Sequence, residues 1–219
     1  MTDQCTYSLC DSTNISLDLK LDLLFNKKEN GFYIELGAFD GINQSNTAFF
    51  EFTRKWKGLL IEPSPNSFEL CIKNRPNSIV CNCCCVSNEY KEEFIKGDFN
   101  GITMASVNGK RLNSNDLITV KALTLEKILD QNIDKNTFID FISIDTEGYE
   151  LEVIKGLNLD KYRPKYLLIE IYTIDYDNIY NYLISKNYKL HSNFTNYNKI
   201  TNPIWDGTHN DYLFVDILI

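Results

Sequence analysis

No apolar run in this chain reaches the roughly 18–20 residues that a membrane-spanning helix needs. Its opening, MTDQCTYSLCDSTNISLDLK, lacks the basic start and apolar stretch of a secretory leader. The expectation is a protein without a membrane span, in the cytoplasm. Basic charge is short as well: 22 Lys and Arg against 30 Asp and Glu leave a net charge of −8. That balance opposes the basic face of a general nucleic-acid binder. A second C-x2-C pair is absent. Four of the seven cysteines crowd into VCNCCCV (Cys81, Cys83, Cys84, Cys85), with no second pair or histidines at zinc-site spacing. Small thiols in a run that reads as one buried strand are expected in the core, and free thiols fit a reducing compartment. No repeat and no linker interrupts the chain. With 219 residues, 43% of them hydrophobic, it is expected to form a single domain over 1–219 with a sizeable core.

What is present is an alternation. Apolar runs of strand length recur at 31–37, 57–63, 78–86, 138–145, 165–172 and 211–219. Several are nearly continuous in apolar residues, as strands covered on both faces are. Between them, SNTAFFEFTRK, SPNSFELCIKN, GYELEVIKGLN and DYDNIYNYLISKN carry apolar residues at helical spacing. SLDLKLDLLFNKK (16–28) reads as a leading helix within a leading segment, 1–30. Strand alternating with helix predicts an α/β fold with a doubly wound parallel sheet. The stretch 88–137 is irregular: EEFIKG and LITVKAL suggest extra strands, and NGITMASVNGKRLNSND suggests a loop or flap.

Acids fall at the ends of these runs, where an open parallel sheet binds its ligands: Glu35 with Asp40, Glu62, Asp145 with Glu147, and Glu170. A lone acid there usually caps a helix; repetition over four strands points to a site. In YIELGAFDG, Gly37 permits close approach of the backbone, and Gly41 follows at Gly-x-x-x-Gly spacing in place of G-x-G-x-x-G. Neighbouring acids repel phosphate and suit an amino-bearing ligand such as the methionine end of S-adenosylmethionine. Glu62, 25 residues beyond Gly37, is placed to hold two ribose hydroxyls, a feature shared with dinucleotide enzymes. A structural strand-loop-helix is the plainer alternative.

The segments GFYIELGAFDGINQSNTAFFE, WKGLLIEPSPNSFELCIKNRP, LTLEKIL and FISIDTEGYELEVIKGL, in that order, resemble the FkbM-type S-adenosylmethionine-dependent methyltransferases. The resemblance runs from about Gly31 to Glu170, with a weaker echo at DYLFV. It implies a Rossmann-like class I methyltransferase fold: a mostly parallel seven-stranded sheet with an antiparallel last strand near 211–218, and helices on both faces. It implies O-methylation of a sugar or other small polar acceptor. By the same resemblance Glu35, Gly37, Ala38, Asp40, Gly41 and Asn46 would form the cofactor loop. Glu62 with Pro63 would hold the ribose, Cys83 would approach the adenine, and Asp145 would lie beside the methyl. Glu35 stands where many relatives have Asp, and Phe39 where Asn is frequent.

Removing the acceptor's proton during methyl transfer requires a base. Asp145 and Glu147 are the first candidates and Glu170 the next, whereas Glu150 is expected on a helix surface. Of the two histidines, each most simply surface or structural, His209 in WDGTHND lies in a loop that can border the crevice, and it joins the candidates; His191 in YKLHSNF is expected on an outer strand. Asp145, Glu147 and Glu170 could alternatively hold Mg²⁺, a hard cation that takes oxygen ligands. Tyr149 and Trp205 are candidates for stacking on the acceptor, and the 100–113 flap is expected to close over the site. The rivals are a methyltransferase-like fold that binds without turnover and an NAD(P)-dependent enzyme. An amino-group methyltransferase of the nucleic-acid type would show [DN]-P-P-[YF] where this chain has DTEG.

Overall fold

The computed structural model describes residues 6–219; the first five residues of the leading segment lie outside the described residues. The chain enters through α1 (Leu17–Leu24), which ends earlier than expected because Asn26 and Lys27 turn to positive φ of 53° and 55°. Then follow β1 (Phe32–Leu36), α2 (Ala48–Arg54), β2 (Lys57–Ile61) and α3 (Pro65–Asn74). Pro65 opens α3 at a position where a missing N–H costs nothing, and the Ser64 hydroxyl caps the helix by accepting from Ser67 N at 3.3 Å.

The cysteine-rich run does not form one strand. It divides into β3 (Ile79–Cys81), paired with β2, and β4 (Cys84–Val86), paired with a different sheet. The break lies at Asn82, whose side-chain amide donates to the carbonyls of Glu62 (2.8 Å) and Pro63 (3.0 Å) and so turns the chain out of β3. Cys83, Cys84 and Cys85 are free thiols buried in the core, and burial raises the pKa of each.

Beyond β4 come β5 (Phe94–Gly97), β6 (Ile118–Thr124), α4 (Leu125–Asn132), β7 (Phe141–Ile144), α5 (Glu150–Lys155) and β8 (Tyr166–Tyr172). The last elements are α6 (Tyr176–Ser185), β9 (Tyr188–Asn193) and β10 (His209–Asp216). His209 is therefore the first residue of a strand instead of a loop residue. The main sheet has the order β3-β2-β1-β7-β8-β10-β9. Neighbours from β3 to β8 run parallel, while β10 runs antiparallel to both β8 and β9. A smaller sheet, β4-β6-β5, carries the irregular stretch, and the extra strands read in EEFIKG and LITVKAL are its β5 and β6.

Strand alternation sends successive side chains to opposite faces. Ile34, Leu36, Leu59, Ile61, Ile142 and Ile144 pack with Leu129 of α4, Val153 and Ile154 of α5, and Ile179 and Leu183 of α6. Tyr33, Leu60, Phe141 and Leu168 pack on the other side with Leu17, Leu21, Phe49, Phe50 and Trp56. Each such aliphatic side chain gains about 1.5–3 kcal/mol by leaving water. Burial on both faces explains why these strands read as continuous apolar runs. It also leaves the loops at the carboxyl edge as the place for polar chemistry.

Candidate active site

A cavity enclosing about 930 Å³, its open mouth included, lies beyond the carboxyl ends of β1, β2 and β7. The link between β5 and β6 covers it with Phe99, Ile102, Thr103, Ala105 and Val107. That link is held at its base by Asp98, whose carboxylate accepts from Ser106 N at 2.6 Å. Of the residues expected to bind a cofactor, Glu35, Gly37, Ala38, Asn46, Glu62, Pro63, Cys83 and Asp145 line the cavity. Asp40 and Gly41 do not. Asp40 caps its own turn, accepting from Ile42 N (2.9 Å) and Asn43 N (2.8 Å).

The first loop differs from its expected form. Gly37, at φ +77°, makes its closest approach to the chain itself: a Cβ there would sit 1.9 Å from the Asp145 carbonyl oxygen. The Glu35 carboxylate is already engaged, accepting from Ser45 Oγ (2.8 Å), Asn46 N (2.8 Å) and Thr47 Oγ1 (2.6 Å). The amides opening α2 are likewise satisfied, with Thr47 N and Ala48 N donating to Ser45 Oγ at 3.2 and 3.0 Å. What the loop does offer the cavity is Asn46. Its Nδ2 donates to Ser143 Oγ at 3.0 Å, while its buried Oδ1 has no partner.

Glu62 closes the far end of β2. Its two oxygens accept from Phe39 N and Ser64 N, each at 2.8 Å. Burial nevertheless pushes its carboxyl up to about 7, because it outweighs the two amides that favour the charged form. Fixed from behind, both oxygens retain lone pairs toward the cavity.

The opposite end gathers acids from three strands. Asp145, Glu147 and Glu170 each bring a carboxylate oxygen within 4.8 Å of the others. Asp145 is reached by solvent through the cavity yet enclosed by its walls. That burial, with the charges of Glu147, Asp211 and Glu150, raises its carboxyl well above the usual range. Glu170, close beside Asp145, is raised by burial and then by the charges of Asp145, Asp211 and Glu147. Burial also raises Asp211, to about 6. Glu170 Oε1 lies 3.3 Å from His209 Nε2, while its buried Oε2 has no hydrogen-bond partner among the described residues. Burial lowers His209 below its ordinary value, so the imidazole is neutral at neutral pH. His191 is exposed on β9 at the sheet edge, against Ser192.

Glu147 is turned toward its partners by a left-handed φ of 54°, followed by Gly148 at 92°. Its Oε2 accepts from Tyr172 Oη at 2.5 Å and from Arg111 Nε at 3.3 Å. Arg111 also reaches Asp206 at 3.3 Å and lies over the Tyr172 ring, so it joins the flap to the β9–β10 loop. Glu150 is not on a helix surface. It is 1% exposed and folds back to accept from Thr146 N (2.9 Å), Thr146 Oγ1 (3.0 Å) and Gly148 N (3.0 Å). Tyr149 lines the cavity; Trp205 lies outside the lining, donating Nε1 to the His209 carbonyl at 2.9 Å. Ser143, Arg111 and Tyr172 were missed from sequence: an interior strand serine, a loop arginine and a strand tyrosine carry no local signal.

A family model, the methyltransferase FkbM domain, matches residues 35–190. Among solved structures, the chain is similar to the METTL16 MTase domain at 12% identity, with 93% of this chain and 67% of that chain covered and a TM-score of 0.52. Two further similarities are to Aeropyrum pernix fibrillarin in complex with S-adenosyl-L-methionine (13% identity, 90% and 74% covered, TM-score 0.49) and to precorrin-6y C5,15-methyltransferase from Geobacter metallireducens (10% identity, 90% and 86% covered, TM-score 0.49). At 12% identity the first of these likenesses speaks for the fold alone. No curated protein matches the chain by sequence. Among the described residues, no helix is long and apolar enough to cross a membrane.

Proposed function

The chain belongs to the FkbM methyltransferase family, and on that premise we propose that it is a single-domain, S-adenosylmethionine-dependent O-methyltransferase acting on a hydroxyl of a sugar or other small polar metabolite. The observation that carries this reading is the polarity of one continuous cavity. A fixed carboxylate, Glu62, stands at one end, and at the other Asp145 lines the wall with Glu170 close behind it, outside the lining. When bound, S-adenosylmethionine supplies an activated methyl group on a sulfonium.

In this reading Glu62 would hold the ribose hydroxyls, with Pro63 and Ala38 as the adjacent wall. Cys83 would pack at the adenine, and Asn46 Oδ1 would accept from the amino group. Asp145, backed by Glu170, would orient the acceptor hydroxyl and take up the proton it loses on methylation. Their raised pKa makes them stronger bases than ordinary carboxylates, once ionised. His209 orients Glu170, and Glu147, held by Arg111 and Tyr172, shapes the acceptor's side of the wall. Carboxylates outnumber cations there: Asp145, Glu147, Glu170, Asp206 and Asp211 stand against Arg111. That excess disfavours phosphate-bearing acceptors, including nucleic acids, and suits neutral or amino-bearing polyols. The buried thiols fit a cytoplasmic, reducing setting.

A second reading of the acidic end is a divalent cation such as Mg²⁺ on Asp145, Glu147 and Glu170, favoured by the unpartnered Glu170 Oε2. Hard oxygen donors fit such an ion, which would lower the acceptor hydroxyl's pKa. Glu147 would then exchange Arg111 and Tyr172 for the ion. The experiment that tests the main reading is calorimetric titration with S-adenosylhomocysteine, with NAD(P)+ as control, followed by methyl-transfer assays on polyol acceptors with and without chelator. Binding of S-adenosylhomocysteine alone and chelator-insensitive turnover are expected; binding without transfer to any acceptor overturns the enzymatic reading.

A further inference from the structure

Arg75 stands behind the cavity, at the end of α3, and its side chain is fully buried. A guanidinium has five N–H donors, and here each has its own acceptor. Nε donates to Glu51 Oε2 at 2.6 Å. Nη1 donates to the Gly41 carbonyl (2.8 Å) and Ser45 Oγ (3.2 Å). Nη2 donates to Tyr33 Oη (2.6 Å) and Thr47 Oγ1 (3.0 Å). Two of these partners belong to the frame, Tyr33 in β1 and Glu51 in α2. The other three belong to the loop between Gly41 and Thr47. The loop packs on the arginine stem as well: a Cβ on Gly41, itself at φ +81°, would come within 2.8 Å of Arg75 Cγ.

The far side of the same loop faces the cavity with Ser45 and Asn46. Glu35 helps hold it, since Ser45 Oγ and Thr47 Oγ1 donate to its carboxylate while accepting from Arg75. A buried charge with every donor satisfied is stable only in one geometry. Removing one contact would therefore release the others.

We propose that Arg75 is a positioning residue for cofactor binding: it orders the Gly41–Thr47 loop before the ligand arrives, so that Asn46 and Ser45 meet a cofactor already in place. This rests on the assignment of the cavity to S-adenosylmethionine. Ordering the loop in advance removes an entropic cost from binding. Lysine has three donors and cannot reproduce the fork.

The test compares Arg75→Lys with Arg163→Lys. Arg163 is a half-buried arginine, paired with Asp216 at 2.6 Å and remote from the loop. In calorimetric titration, Arg75→Lys is expected to weaken S-adenosylhomocysteine binding about tenfold and to speed hydrogen exchange of the Asn46 amide by a similar factor. Arg163→Lys, at a matched loss of Tm, leaves both within about twofold of the wild type. A folded Arg75→Lys protein that keeps wild-type affinity and wild-type exchange overturns the proposal. Should Arg75→Lys not fold, Thr47→Val, which retains the Arg75–Glu51 pair, is expected to show the same two changes in smaller degree; wild-type values there overturn it. If the wild type itself binds no S-adenosylhomocysteine, the cofactor assignment fails, and amide exchange in the free protein still decides whether Arg75 orders the loop.

Discussion

The two ends of the cavity treat their carboxylates in opposite ways. At the β1–β2 end, Glu35 and Glu62 accept hydrogen bonds from the backbone and hydroxyls of their own loops, and a buried arginine holds the arrangement from behind. At the β7–β8 end, Asp145, Glu170 and Asp211 crowd one another, and one oxygen of Glu170 has no partner. The first end is ordered by its own hydrogen bonds, with Asn46 Oδ1 left open. At the second, burial and mutual repulsion raise the carboxyls. In the proposed function, binding geometry and chemical reactivity fall to different strands of one sheet.

The widest separation between the two ends should appear in turnover. Asp145→Asn keeps shape but removes the carboxylate, and it is expected to lower kcat about 10³-fold while S-adenosylhomocysteine affinity changes little; a fully active variant would erase the distinction. Glu62→Ala addresses the other end. Losing two charge-assisted hydrogen bonds should weaken cofactor binding about 100-fold with the fold intact by circular dichroism, and unchanged affinity would remove Glu62 from the ribose.

A smaller effect comes from pH. Glu62 titrates near 7 in the fold against an ordinary 4.5. Because the folded protein holds this proton more tightly, the group's contribution to stability is full below the unfolded value and is lost as pH rises through 7. Hydroxyl donors favour the carboxylate, so cofactor affinity should climb by up to about tenfold as pH rises from about 6 to 8 and then level off. Glu62→Gln should flatten that profile. The smallest expected change is for Arg111→Gln, which loosens the flap from Glu147 and Asp206: a rise of about three- to fivefold in acceptor KM, with cofactor affinity unchanged. A large loss of cofactor affinity would show that the flap belongs to both ends.

Much of this contrast could be read from sequence. The strands announced themselves because burial on both faces writes unbroken apolar runs, as in FYIEL and YLLIEIY, and the acids at their ends marked the edge where ligands bind. Three features could not be read. VCNCCCV looks uniform, and only Asn82's side-chain bonds to a distant loop divide it. Glu150 shares GYELEVIK with Glu152 and Lys155, which do face solvent, and its inward turn depends on the amides of Thr146 and Gly148. Arg75 in KNRPN reads as an ordinary surface charge at a helix end, because all five of its partners lie 24 or more residues away. Nonlocal polar contacts leave no periodic trace.

The position of β10 has a consequence in time as well as in space. β9 joins the main sheet only through β10, which lies between it and β8. In a growing chain that has made β8, α6 and β9, the native place between these two strands stays open until residues 209–216 arrive. Glu170 meets Asp211 and His209 only at that insertion. The β1–β2 half can be complete much earlier, from sequence-local βαβ units of low contact order. Asp211 and His209 thus reach Glu170 last, with the strand that closes the sheet.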